Sequence, residues 1–131
     1  MTPVKIDVEA AVYPTESAEK IERAVRNILG EIALKQITRG DILVLEGHLD
    51  DIESLRHLKE LLKRLRIRDA TRAYLTRIAR GDFLTFGLNK QAAYAGRVSF
   101  YHPHEAPMGP IQVTIKGDID EVIRYLSERE T

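Results

Sequence analysis

Residues 4–12 read Val4-Lys5-Ile6-Asp7-Val8-Glu9-Ala10-Ala11-Val12, and they decide the fold. Apolar side chains at 4, 6, 8, 10 and 12 alternate with Lys5, Asp7, Glu9 and Ala11. Period two over this length predicts a strand with one buried and one solvated face. A strand of that kind needs an amphipathic layer to cover it, and the next segment supplies one. Pro14-Thr15 ends the strand, Thr15 is an expected N-cap, and Glu16 and Glu19 suit a helix's positive end. Ala18, Ile21, Ala24, Val25, Ile28 and Leu29 form one stripe, and Gly30 stops the helix.

Strands are expected near 31–37 and 42–48, joined by the turn Arg39-Gly40-Asp41. Asp50 with Glu53 resembles a capping box opening a helix whose inner arc carries Leu55, Leu58, Leu61, Leu62 and Leu65. The pattern loses phase at Arg66–Arg68. Asp69 is the expected cap of another helix running to Arg80 and closed by Gly81, with Ala70, Ala73, Tyr74 and Ile78 inward. Three more strands are predicted: Leu84 to Leu88, Tyr94 to Phe100 and Ile111 to Ile115. The segment 102–110, with three prolines and a glycine, reads as a loop. Asp118 and Glu121 repeat the capping pattern before an amphipathic helix bearing Ile119, Val122, Ile123 and Leu126. The order β-α-β-β-α-α-β-β-β-α predicts one α+β domain over residues 1–131, a largely antiparallel sheet with helices on one face.

Composition narrows the function classes. The 131 residues include no cysteine, so disulfides and thiolate metal sites are excluded and a reducing, cytoplasmic setting is expected. The charged start is no signal peptide, and no apolar run is long enough to span a membrane. Asn and Gln number five, whereas Lys, Arg, Glu and Asp make up 31% of the chain, a balance suited to a heat-adapted source. Phosphate-loop, dinucleotide, nucleophile-elbow and zinc-protease motifs are all missing, and no cofactor or catalytic residue is predicted. The aromatic signature of RRM modules and the Gly-x-x-Gly clamp of KH modules are missing too.

Net charge is zero, yet residues 56–80 hold nine basic and two acidic side chains. Arg56, Lys59, Lys63 and Arg66 share roughly a quarter-turn of the helix, beside the leucines. Arg72, Thr76 and Arg80 share the outer face of the next helix, and Arg64, Arg66 and Arg68 crowd the junction. Such a ridge suits a phosphate backbone, because binding releases condensed counterions. An alternative stays open: Arg56, Glu60 and Arg64 at i, i+4 spacing suit local ion pairs, and long cationic stems can cover leucines.

Two further stretches stand out. Gly87, Ala92, Ala93, Ala95 and Gly96 permit close approach of a backbone or ligand, and Asn89-Lys90-Gln91 reads as a turn offering polar donors. A packed hairpin turn is the plainer reading. His102-Pro103-His104-Glu105 has metal-binding side chains but no structural-metal spacing, so a solvated loop is expected and no metal. His48 and His57 read as isolated surface or boundary residues.

Three segments together carry a family resemblance: Ile6-Asp7-Val8-Glu9-Ala10 with Tyr13-Pro14-Thr15-Glu16, then Leu88-Asn89-Lys90-Gln91-Ala92-Ala93-Tyr94, then Ala106-Pro107-Met108-Gly109-Pro110-Ile111. In that order the chain resembles an archaeal family of small uncharacterised proteins within a larger grouping described as RNA-binding. Relatives in that grouping are described as predicted exosome-associated RNA-binding subunits. Met108 stands where a leucine is expected. The resemblance implies a fold like that of the large-subunit ribosomal protein that binds the smaller ribosomal RNA. It also implies RNA as ligand, with Asn89, Lys90 and Gln91 as signature positions of unassigned role.

The leading expectation is a non-catalytic RNA-binding domain. Lys59, Lys63, Arg64, Arg66, Arg68, Arg72 and Arg80 would contact phosphates, and Lys90 would add one contact. Two rivals are a protein-interaction or homodimeric module, and a small-molecule-binding protein or enzyme using residues 87–96.

Overall fold

The structure, a computed structural model, describes residues 3–101 and 108–128. Five strands form one sheet: β1 (Pro3–Val12), β2 (Lys35–Arg39), β3 (Ile42–Asp51), β4 (Phe83–Leu88) and β5 (Ile111–Lys116). Their order is β2-β3-β1-β5-β4, and every neighbouring pair is antiparallel. The alternating stretch therefore lies at the centre of the sheet. Ile6 pairs with Ile115, Val8 with Val113 and Ala10 with Ile111, so one apolar row crosses β1 and β5 without a break.

Helices α1 (Ala18–Leu29), α2 (Arg56–Leu65), α3 (Arg68–Ile78), α4 (Lys90–Tyr94) and α5 (Ile119–Ser127) accompany the sheet. The buried stripes of α1, α2 and α5 join Ile6, Val8, Leu84, Phe86, Val113 and Ile115 in one core. The opposite face of the sheet is polar. There Asp7 meets His48, and the Arg39 guanidinium bridges Glu9 and Glu46, two carboxylates in register that would otherwise repel.

Several expected boundaries move, each for a local reason. Ser17 rather than Thr15 caps α1, accepting from the Lys20 N–H. Strand β2 begins at Lys35, four residues late. Ile32 and Leu34 instead lie over Gly47 of β3, where an added Cβ would stand 2.7 Å from Ile32 Cδ1. Asp51, not Asp50, accepts from the Ser54 N–H and opens a 3-10 turn (Ile52–Leu55) that leads into α2. Asp69 is inside the first turn of α3, whose cap residue is Ile67. That helix ends at Ile78 and turns Thr71 and Leu75 inward, leaving Ala70 and Ala73 exposed. Burying a leucine removes far more apolar surface from water than burying an alanine, which sets the rotation.

The expected strand at 94–100 is the largest departure. Asn89 accepts from the Ala92 N–H at 2.9 Å and starts α4, so the predicted turn is a helical one. The chain then returns in extended form beside β4, with a single bridge between Leu88 and Phe100. Two backbone bonds hold it there, Asn89 N–H to Ser99 O and Tyr101 N–H to Gly87 O, both 2.8 Å. The small residues do allow close approach: a Cβ on Gly87 would lie 2.8 Å from Pro110 Cβ.

Candidate nucleic-acid interface

Of Asn89, Lys90 and Gln91, Lys90 is buried, Asn89 half-buried and Gln91 exposed. Lys90 is 6% exposed. Its ammonium donates to Ala11 O at 2.7 Å, to Met108 O at 2.7 Å and to Glu16 Oε1 at 2.9 Å. It also stands 5.3 Å from the centre of the Tyr13 ring. Three donors meet three acceptors, so Lys90 has nothing left for a phosphate. That corrects the expectation that it contacts nucleic acid. Its partners belong to the end of β1, the approach to α1 and the segment before β5, so one buried cation ties three parts of the chain. Asn89 is spent on capping α4, and Asn27 of α1 donates to Ala93 O and Tyr94 O at the other end of that helix. The motif is a structural joint.

An open groove of about 410 Å3 lies beside this joint, lined by Thr15, Ser17, Lys20, Gln91 and Tyr94 among others. Lys90 borders it but directs its N–H groups to Ala11 O, Met108 O and Glu16. His57 donates from Nε2 to Asn27 O, 2.9 Å away, and so fastens α2 to α1. Among the described residues no cluster of His, Asp and Glu could hold a metal. His102, His104 and Glu105 lie outside the described residues.

The basic ridge divides into two unequal parts. In its first part the cations have company. Lys59 stands 4.5 Å from the Tyr125 ring centre. The Tyr125 hydroxyl is pushed above its ordinary pKa by burial and then by the charge of Glu53, with Glu60 and Asp51 adding to the rise and Arg56 opposing it. At the far end, Arg77 covers Tyr74 at 5.5 Å, and Arg80, just beyond α3, donates to Arg77 O and Ala79 O at the end of that helix.

Between these lies the corner where α2 meets α3. Lys63, Arg64, Arg66 and Arg72 are exposed and Arg68 is half-buried. None of the ion pairs among the described residues involves any of the five. Glu60, Lys63, Arg64 and Arg66 line an open depression of about 440 Å3. The local backbone explains the crowding. Helix α2 stops in a left-handed residue, Arg66, with φ 59° and ψ 40°, whose N–H bonds back to Lys63 O while Ile67 N–H reaches Leu62 O. Among the described residues Arg66 is the sole non-glycine with positive φ. Glycine is the usual occupant of that position, and an L side chain there costs about 1–2 kcal/mol. Arg68 sits in the first turn of α3, at the positive end of the helix dipole, where a cation is disfavoured. Two local rules are broken within three residues, both in favour of positive charge.

A family model described as RNA binding matches residues 5–117. The chain belongs to that family. A UPF0201 protein of Thermococcus onnurineus is 36% identical over 95% of this chain and 92% of its own length. Another from Aeropyrum pernix is 41% identical over 95% of this chain and 85% of its own. The crystal structure of the Methanococcus jannaschii UPF0201 protein superposes with a TM-score of 0.83 at 32% identity, covering 97% of this chain and 95% of that one. This UPF0201 member thus shares its α+β fold with archaeal proteins, and its relatives come from thermophiles, as the composition suggested. No helix among the described residues is long and apolar enough to cross a membrane.

Two opposite stability effects follow. Lys90→Met leaves the Glu16 carboxylate buried without its cation and should cost about 3–5 kcal/mol in urea unfolding. Arg66→Gly relieves the left-handed strain and should leave stability unchanged or raise it by up to about 1 kcal/mol. A Lys90→Met protein as stable as the parent, or a clearly destabilised Arg66→Gly protein, contradicts these roles.

Proposed function

We propose that this protein is a non-catalytic RNA-binding protein of the cytoplasm, and that the α2–α3 corner is its phosphate-contacting surface. The observation that carries the reading is the set of five cations, Lys63, Arg64, Arg66, Arg68 and Arg72, that lack a carboxylate partner among the described residues. The family's RNA-binding description supports the choice of ligand. Lys59 and Arg80 flank the corner and supply weaker, longer-range attraction, since their heads already engage Tyr125 and the end of α3. Recognition is of the backbone and of shape.

The uneven charge also favours a second reading. With nine basic and two acidic residues in 56–80, the rest of the chain is acidic, and the corner could meet the acidic surface of a second copy or another protein. A concentration-independent monomer in light scattering counts against it.

RNA affinity should fall steeply with salt. With four to five phosphates engaged, log K against log salt should slope by roughly −3 to −4.5. The double variant Arg64→Glu/Arg68→Glu should flatten that slope by about two contacts and weaken binding at least tenfold, with the circular dichroism spectrum unchanged. Binding that ignores salt, or ignores this variant, overturns the assignment.

A further inference from the structure

Resting on the RNA-binding reading, we infer that the α2–α3 corner selects base-paired RNA over single strands, because it offers phosphates a cationic edge and offers bases no open aromatic ring. Sequence-tolerant binding of single strands depends on aromatic faces beside a basic groove, each worth about 1–3 kcal/mol per stacked base. The aromatic rings nearest the ridge are already used. Tyr125 carries Lys59 over its face. Tyr74 has Phe100 at 4.5 Å between ring centres and Arg77 at 5.5 Å.

Two exposed phenylalanine or tyrosine rings exist among the described residues, Phe83 and Tyr94, and neither is on α2 or α3; the exposed His57 ring is at the start of α2, away from the corner, bonded to Asn27 O. Phe83 pairs with Arg80 beyond the far end of α3, about 15 Å along that helix from Arg68. Tyr94 closes α4, which packs on α1.

The polar face of the sheet is the other surface on which a single strand could lie, as it does on RRM sheets. Here that face presents Asp7, Glu9 and Glu46, matched by Arg39 and His48 in ion pairs. Three carboxylates in the middle of that face repel a polyanion, and the exposed Phe83 ring shares the face only at its β4 edge, opposite Lys116.

What the corner does have is rigid charge. Arg68 and Arg72 are four residues apart on one helix, hence neighbours on its surface, while Lys63 and Arg64 end the other. The main share of the binding free energy then comes from phosphates. That term is larger for a duplex, whose charge density is higher and whose counterion release per contact is greater, about 0.9 against 0.7. The major groove of an A-form duplex is too deep and narrow for side chains to read, so a surface that contacts phosphates loses little there.

Fluorescence anisotropy of the full chain decides between the two forms. The probes are a labelled RNA duplex of two helical turns and its unpaired strand of unstructured sequence, each titrated at two salt concentrations. The duplex should bind at least tenfold more tightly with the steeper salt slope. Phe83→Ala and Tyr94→Ala should each change affinity for either probe by less than twofold. A single strand that binds as tightly as the duplex, or loses affinity on Tyr94→Ala or Phe83→Ala, overturns the duplex preference and leaves the RNA-binding reading intact. Binding of neither probe at low salt overturns both.

Discussion

The ammonium of Lys90 is the point on which the rest of the architecture hangs. An unpaired cation buried to this degree would cost several kcal/mol, so the site is tenable only with every N–H satisfied. Ala11 O, Met108 O and Glu16 satisfy them from three separate parts of the chain. This bond set fixes where β1 ends, where α1 begins and how the segment before β5 is anchored. It also settles a question of function by subtraction. A lysine between two polar amides invites assignment to phosphate, yet this one looks inward, so a functional surface has to be sought elsewhere.

That surface has its own energetic mark. Marginally stable proteins rarely keep two unfavourable choices in three residues unless something else favours them. Arg66 in a glycine conformation and Arg68 at a helix's positive end are such choices. Their shared effect is to add two cations to the α2–α3 corner with no carboxylate partner among the described residues. On the same ridge, a few residues away, Lys59 and Arg80 are engaged by an aromatic ring and by helix carbonyls. The contrast separates a charged surface that serves packing from one left open to solvent.

Much of the fold was legible from one sequence because its signals were periodic. The alternation at 4–12, the stripes of α1, α2 and α5 and the link at Gly40 all reported burial directly, and the structure keeps each of them. What the sequence hid was decided by single contacts. Extended β-type residues at 94–100 read as a strand, but Asn89 accepting one N–H turned their start into a helix. Ala70 and Ala73 read as an inner face, but Leu75 claimed it. The site was half legible. Charge density over 56–80 marked the ridge, yet only side-chain partners could tell the free cations from the occupied ones. Lys90 was the plain miss: nothing local distinguishes a buried lysine from an exposed one when its acceptors lie 18, 74 and 79 residues away.

The most direct trial of the account is a backbone amide NMR titration of the isotope-labelled protein with a short RNA duplex at low salt. The account predicts that the largest shift changes cluster between Lys63 and Arg72, with residues 89–94 and the polar sheet face nearly still. Changes centred on Asn89–Tyr94, or on Asp7, Glu9 and Glu46, would contradict it.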